Sequence, residues 1–264
     1  MNLTWIAMLL TTALFVGMLI TFEVGRRIGV ARLRSDPEGL TKGAGAAEGA
    51  VFALLGLLLA FTFSGAASRF EARRFYIDTE ANAIGTAYLR AQTLPEPMRG
   101  ASLGLLVRYT RTAVSLSSHV PGSDSAEAAR ATEARLERQL WQQAAQALDA
   151  KPIASAPRLY VESLNEMIDG ETTRVAALTN RVPTAVLLLE VIGASVALGL
   201  LGAHLAIGGR GVFGVMFASA LIAFLLLVTA DLDRPTRGLI RVPDSVLTEQ
   251  LESMTQPPAA PGPG

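Results

Sequence analysis

A carboxylate inside a long apolar segment is the strongest candidate for chemistry in this sequence. Glu190 lies seven residues after Pro183, roughly 10 Å along a helix. An unpaired carboxylate in hydrocarbon is costly and usually faces a cavity or a partner. Two roles follow for Glu190: part of an ion or proton pathway, or an acid near the interface paired with an arginine such as Arg181 or Arg69.

A second group of charges follows an apolar segment directly. Arg69, Arg73 and Arg74 come within about two helical turns of the uncharged stretch 49–68. Like charges at the mouth of a pore would concentrate anions there. The alternative is that these arginines anchor the chain to acidic lipid headgroups.

Other reactive side chains are sparse. The chain has two histidines and no cysteine, and His204 has no second imidazole at ligand spacing. Asp231 and Asp233 could hold a cation, but a third oxygen ligand is missing, so an N-cap or a salt bridge with Arg234 or Arg237 is favoured. We find no nucleotide loop, catalytic triad or zinc-protease motif. The sequence therefore predicts a non-enzyme with no catalytic residue, no metal site and no cofactor.

The elements that would position these residues are mostly membrane helices. Half of the 264 residues are hydrophobic, 17% are charged, and mean hydropathy is +0.38. With 23 basic and 23 acidic residues, the chain offers no general attraction for nucleic acid. About 20 apolar residues suffice to cross a bilayer. Four predicted spans meet that length: 1–22, 49–68, 182–207 and 211–230.

Between and after these spans the composition becomes polar. We predict a basic loop at 23–48, a helical soluble domain at 69–181, and a C-terminal segment at 231–264 that has a short helix and a disordered tail. The overall prediction is an all-α protein with spans in a 2+2 arrangement around the soluble domain.

Apolar periodicity predicts the helices of the middle domain. Residues at spacings of three and four predict helices at about 98–118, 126–150 and from Ser155 onward. No glycine or proline interrupts residues 66–84, so the second span is expected to continue into the soluble domain. The last soluble helix is likewise expected to run into the third span at Pro183.

The second span resembles a helix of a known channel family. The matching residues form an apolar block followed by an arginine-rich block: Phe52, Leu54, Leu55, Gly56, Leu59, Ala60, Phe61, Phe63, Ser64, Ala66, Ala67, Arg69, Phe70, Glu71, Ala72 and Arg73. They are similar to the second transmembrane helix of bestrophin-type channels. The chain also looks like bacterial bestrophin-like membrane proteins, a resemblance that the DLDRP block at 231–235 strengthens.

The resemblance implies a homopentamer in which the second helix of each subunit lines a central pathway. Bulky apolar side chains would form its constriction, and such rings can gate by dewetting. The matching candidates are Leu55, Leu58, Leu59, Phe61 and Phe63. The alternative is that these side chains face lipid or neighbouring helices.

Together these observations predict a multi-pass protein of the inner (plasma) membrane. Its expected partners are the lipid bilayer, further copies of the chain, and small anions. The leading interpretation is an anion channel; the alternative is a non-conducting scaffold or sensor whose helical domain binds a partner. Basic residues flank both sides of the membrane, and the resemblance implies a cytosolic middle domain.

Overall fold

The computed structural model describes residues 3–35, 44–208, 212–234, 236 and 238–258, and within them all regular structure is helical. The helices are α1 (Leu3–Ser35), α2 (Ala44–Ala91), α3 (Met98–Ser118), α4 (Asp124–Ala150), α5 (Ser155–Thr179), α6 (Thr184–Gly208), α7 (Val212–Leu232) and α8 (Ser245–Ser253). The all-α class is confirmed.

The chain divides into two compact units. We call Met1–Ser68 with Arg181–Ile240 the membrane unit, and Arg69–Asn180 with Arg241–Gly264 the polar unit. In the described residues, three stretches contain an apolar segment long enough to cross a bilayer: Glu48–Ala91 in α2, Ser155–Leu205, which takes in α5 and most of α6, and Phe213–Leu232 in α7. The chain is therefore a membrane protein. The predicted span at 1–22 is not one of these three; residues 1 and 2 and most side chains up to Leu10 lie outside the description.

The second predicted span continues as one long helix, as the sequence indicated. α2 is unbroken over 48 residues and contributes to both units. Its length follows from the absence of a helix breaker where the apolar residues give way to charged ones, since proline would remove a backbone donor and clash with the preceding turn.

The predicted basic loop at 23–48 is partly wrong, because α1 continues to Ser35. Glu23 stabilises the added turns through ion pairs with Arg26 at 2.8 Å and Arg27 at 2.9 Å, the spacings at which side chains meet on a helix. Two of the charges that suggested a loop, Arg26 and Arg27, thus pair along a helix. Residues 36–43, which include Lys42, lie outside the description.

The expected continuation of the last soluble helix into the third span is also wrong. α5 ends at Thr179 and α6 begins at Thr184, with non-helical residues between them. Pro183 disfavours helical geometry in the residue before it. The freed backbone N–H of Val182 donates instead to the carboxylate of Asp233 at 3.1 Å.

The polar unit has its own apolar core. Helix α3 spans the predicted residues, α4 begins two residues before the predicted start, and α8 lies within the predicted C-terminal helix. Buried side chains from these helices, α2 and α5 form one cluster, with Ile84, Leu106, Leu140 and Leu164 fully enclosed. Tyr88 donates to the carbonyl oxygen of Met254 at 3.0 Å, so the α8 segment is part of this fold.

The membrane unit is held by close helix approach. Helices α1, α2, α6 and α7 share one buried apolar cluster, which includes Met18, Leu59, Leu198 and Leu226. A Cβ on Gly25 of α1 would overlap the backbone of Gly199 in α6, so this contact requires glycine. Small residues let membrane helices pack closely. Residues 209–211, between the third predicted span and α7, lie outside the described residues.

Candidate functional site

Glu190 lies buried inside the membrane unit. Its side chain on α6 is 1% exposed, and neither carboxylate oxygen has a hydrogen-bond partner in the described part of the chain. The predicted pairing with Arg181 or Arg69 is therefore not formed through a hydrogen bond. Thr62 on α2 is a polar neighbour of this carboxyl, which places Glu190 against the helix with the candidate pore residues.

Helix α2 presents two different faces within the membrane unit. Leu55, Leu59 and Ala66 are buried against the other helices. On the other side Leu54 is 59% exposed, Leu57 52% and Phe61 68%.

The exposed face changes character along the helix. Ser64 and Ser68 are exposed and follow Phe61 at helical spacing. The face therefore begins with bulky apolar side chains and ends with hydroxyls.

The five candidates for the pore fall on different sides of this helix. Phe61 lies on the exposed face, Leu58 and Phe63 are half-buried, and Leu55 and Leu59 face the core. Sequence reasoning did not select Leu57. Bulky apolar residues occur on all sides of the helix up to Phe63, so they do not distinguish one face from the other. The spacing of Ser64 and Ser68 from Phe61 was the available signal.

The three arginines after this span also differ in position. Arg74 is exposed and Arg69 is half-buried. Arg73 is fully buried in the polar unit, where it donates to the carbonyl oxygens of Ala177 at 3.1 Å and Asn180 at 2.6 Å. Carbonyls at a helix C-terminus lack intrahelical partners and attract cations. Arg73 therefore caps α5, which is not the exposed position expected at a pore mouth.

The polar unit contains a buried charge cluster that sequence reasoning missed. Arg174 of α5 forms an ion pair with Glu80 of α2, and its Nη2 lies 3.5 Å from Oε1 of Glu133 on α4. All three side chains are at most 1% exposed. Glu133 fits the α4 apolar seam between Ala129 and Leu136, and this spacing was the signal that could have revealed its burial.

This cluster contains more negative than positive groups. Burial raises the pKa of Glu133 to about 8, with Arg174 opposing the shift and Glu80 adding to it. Burial also raises the pKa of Glu137 to about 6. Burial raises the pKa of Glu80 too, with Arg174 opposing the shift. With one guanidinium facing two carboxylates, uptake of one proton by this cluster leaves a single balanced ion pair with Arg174.

The aspartates near the last membrane exit bind backbone groups. Asp231 accepts from the N–H groups of Leu239 and Ile240, each at 2.8 Å, and Asp233 accepts from Val182. These contacts tie the segment after α7 to its neighbours. Arg237 lies outside the described residues.

His204 approaches a single carboxylate. Its Nδ1 lies 3.6 Å from Oε2 of Glu48. In the described residues, no group of three or more histidine, aspartate or glutamate side chains could hold a metal ion.

Solved structures that resemble this chain share its fold. A single-substitution variant of the bacterial bestrophin homolog from Klebsiella pneumoniae aligns with a TM-score of 0.67 at 18% identity, covering 92% of this chain and 98% of that one. The structure of this homolog determined by zinc phasing gives a TM-score of 0.66 at 18% identity, covering 91% and 97%. No curated protein sequence matches the chain.

The sequence profile of the bestrophin-like domain matches residues 31–247. This match covers most of the chain and includes α2 through α7 together with the buried charge cluster. The recognition drawn from the α2 residues is therefore confirmed, and the chain belongs to the bestrophin-like family.

Proposed function

We propose that this protein is an anion channel of the inner membrane, assembled from several copies of the chain, with α2 of each copy lining the pathway. Family membership and the shared fold support this proposal. The resemblance of the α2 residues to bestrophin-type channels implies five copies. In this proposal α1 is the fourth span.

The observation that carries the proposal is the exposed face of α2. Leu54, Leu57 and Phe61 remain uncovered within one copy, and Ser64 and Ser68 extend the same face. Lipid offers a hydroxyl no hydrogen-bond partner. An apolar stretch followed by hydroxyls instead suits a water-filled pathway with a dewettable constriction.

The proposed lining differs from the five residues that the sequence suggested. Phe61 is retained as the narrowest ring, Leu54 and Leu57 join it, and Leu58 and Phe63 flank it. Leu55 and Leu59 are left out because they pack against the other helices. Their role is to hold α2 so that the opposite face meets the pathway.

The charged residues take separate roles in this proposal. Arg74 is exposed and would attract anions toward the pathway. Glu190 lies behind α2, where a carboxyl without a cation partner would respond to protons or ions passing along that helix. Both assignments rest on position relative to α2.

Chloride flux from liposomes containing the purified protein tests the proposal. We expect the wild type to conduct and Phe61→Ala to raise flux severalfold, because a smaller side chain weakens a dewetting barrier. Phe217→Ala is the matched control: Phe217 is 72% exposed, but on α7. A folded protein that never conducts would contradict the proposal and favour a scaffold, and equal responses to both substitutions would contradict the assigned pathway.

A further inference from the structure

Three arginines from two helices of the polar unit line one groove. The groove runs between α3 and α4 and has a volume of about 360 Å³. Arg108 and Arg111 enter from α3, and Arg135 enters from α4 beside Gln139. Every charged side chain that lines it is an arginine.

Among the described residues, no nearby carboxylate balances the charge of these arginines. In the part of the chain that the structure describes, no carboxylate lies within 4.0 Å of Arg108, Arg111 or Arg135, although Arg90 and Arg99 pair with Glu162 and Glu96. The whole of α3 contains no acidic residue. The groove therefore has a local excess of three positive charges in a chain whose formal net charge is zero.

The two acids of α4 that flank Arg135 in the sequence are engaged elsewhere. Glu133 is buried in the cluster around Arg174, and Glu137 interacts with Tyr109. Arg135 is held by its own helix, since Nη2 donates to the hydroxyl of Thr132 at 3.0 Å. The Arg135 guanidinium is thus held at the groove, and Arg108 and Arg111 are exposed beside it.

Guanidinium groups bind phosphate through two parallel N–H donors, which makes them better suited to it than to a spherical halide. Three of them in one concave surface favour a ligand with several negative charges over one with a single charge. The volume lies within the usual range for small-molecule sites, about 300–1,000 Å³. Helices α3 and α4 are not membrane-length apolar segments, which favours a ligand from solution over a lipid.

We propose that the groove between α3 and α4 is a binding site for a soluble small molecule carrying two or more linked phosphate groups, held by Arg108, Arg111 and Arg135. This site is separate from the α2 face proposed to conduct anions. Its occupancy does not depend on whether the protein is a channel.

Binding of inorganic tripolyphosphate to the full-length protein in detergent, measured by calorimetry, tests the proposal. We expect tripolyphosphate to bind more tightly than orthophosphate, and added salt to weaken it because the groove is open to solvent. Arg108→Gln, Arg111→Gln and Arg135→Gln should each weaken binding roughly tenfold or more, since hydrogen bonds to charged groups contribute that much. Arg130→Gln, an exposed arginine of α4 outside the groove, should leave binding unchanged.

Two results would contradict the proposed binding site. The first is an absence of binding at millimolar tripolyphosphate, and the second is an equal loss of tripolyphosphate affinity in the groove variants and in Arg130→Gln. Binding to vesicles of anionic lipid without binding to free tripolyphosphate would assign the groove to a membrane surface. A change in the number of assembled copies in all three groove variants would assign the arginines to a contact between subunits. Glutamine is a good helix former, so the variants should remain folded.

Discussion

The two units bury carboxylates in contrasting ways. In the polar unit, Glu80 and Glu133 are enclosed with Arg174 between them. In the membrane unit, Glu190 is equally buried but has no hydrogen-bond partner among the described residues. Loss of one member of a buried ion pair leaves an uncompensated charge and is strongly destabilising, whereas an acid inside a membrane without a cation partner is costly and usually functional. The first site is therefore structural and the second is a candidate for ion handling.

The largest expected effect comes from removing the cation of the polar unit. Arg174→Met leaves two carboxylates buried without a guanidinium and should lower the free energy of unfolding by about 3–5 kcal/mol. Urea unfolding of the detergent-solubilised protein measures the change. Glu190→Gln is the matched control and should not lower the free energy of unfolding to a similar extent, because no ion pair is broken. If both substitutions lower the free energy of unfolding equally, the proposed difference between the buried carboxylates of the two units is wrong.

A smaller effect is expected from changing pH. The folded state holds the proton of Glu133 up to about pH 8, whereas an unfolded glutamate loses it near 4.5. The folded state thus binds more protons at Glu133 between these values, so the contribution of Glu133 to stability is fully present below about pH 4.5 and is lost as pH rises through about 8. Glu137, with its pKa raised to about 6, acts in the same direction over the lower part of this range.

Glu133→Gln should flatten this dependence, because the amide cannot ionise. When the pH is raised from about 5 to about 9, the urea concentration at the unfolding midpoint of the wild type should decrease. The midpoint of the variant should decrease by a smaller amount. Glu80, Arg174, Tyr109 and Glu171 face the same cluster and remain in both proteins. An unchanged slope in Glu133→Gln would show that another group binds the proton.

The close approach of α1 and α6 predicts a more local effect. Gly25→Ala places a Cβ against the backbone of Gly199 and should destabilise the membrane unit by about 1–3 kcal/mol. Gly17→Ala is the control on the same helix, because a Cβ there meets nothing within 4 Å; it should be neutral or stabilising by up to about 1 kcal/mol. Thermal unfolding in detergent measures both, and a neutral Gly25→Ala would contradict the close packing.

Glu190→Gln should have its effect on flux. If the buried carboxyl responds to ions or protons along α2, the amide should change chloride flux or its pH dependence while leaving assembly intact. Flux from liposomes at two pH values measures this. If Glu190→Gln shows the same flux as the wild type at both pH values, Glu190 has no role in the pathway.

The helices were more predictable from the sequence than the environments of their side chains. Breaks at Leu94–Pro97 and around Ser123 delimit α3 and α4 because turn residues and proline interrupt the apolar spacing. The burial of Glu133 and Arg174 was not predicted, since charged residues on amphipathic helices are normally solvated and their partners come from other helices.

The same reasoning explains the partial prediction of the pore candidates. Leu55 and Leu57 have similar hydrophobicity, and only the positions of α6 and α7 show that Leu55 is covered while Leu57 is not. The extension of α1 past residue 22 was missed because its charged turns resemble a basic loop until Glu23 is seen pairing with Arg26 and Arg27.

The central claim is that the exposed face of α2 lines a conducting pathway, and cysteine accessibility tests it most directly because the chain has no native cysteine. A water-soluble thiol reagent would be added during chloride flux to three variants on the exposed face: Leu57→Cys, Phe61→Cys and Ser64→Cys. Leu59→Cys, on the buried face of α2, and Phe217→Cys, exposed on α7, are the controls. The account predicts that the reagent blocks flux in the first three variants and in neither control. Block through Leu59→Cys or Phe217→Cys, with no effect on the exposed α2 positions, would contradict it.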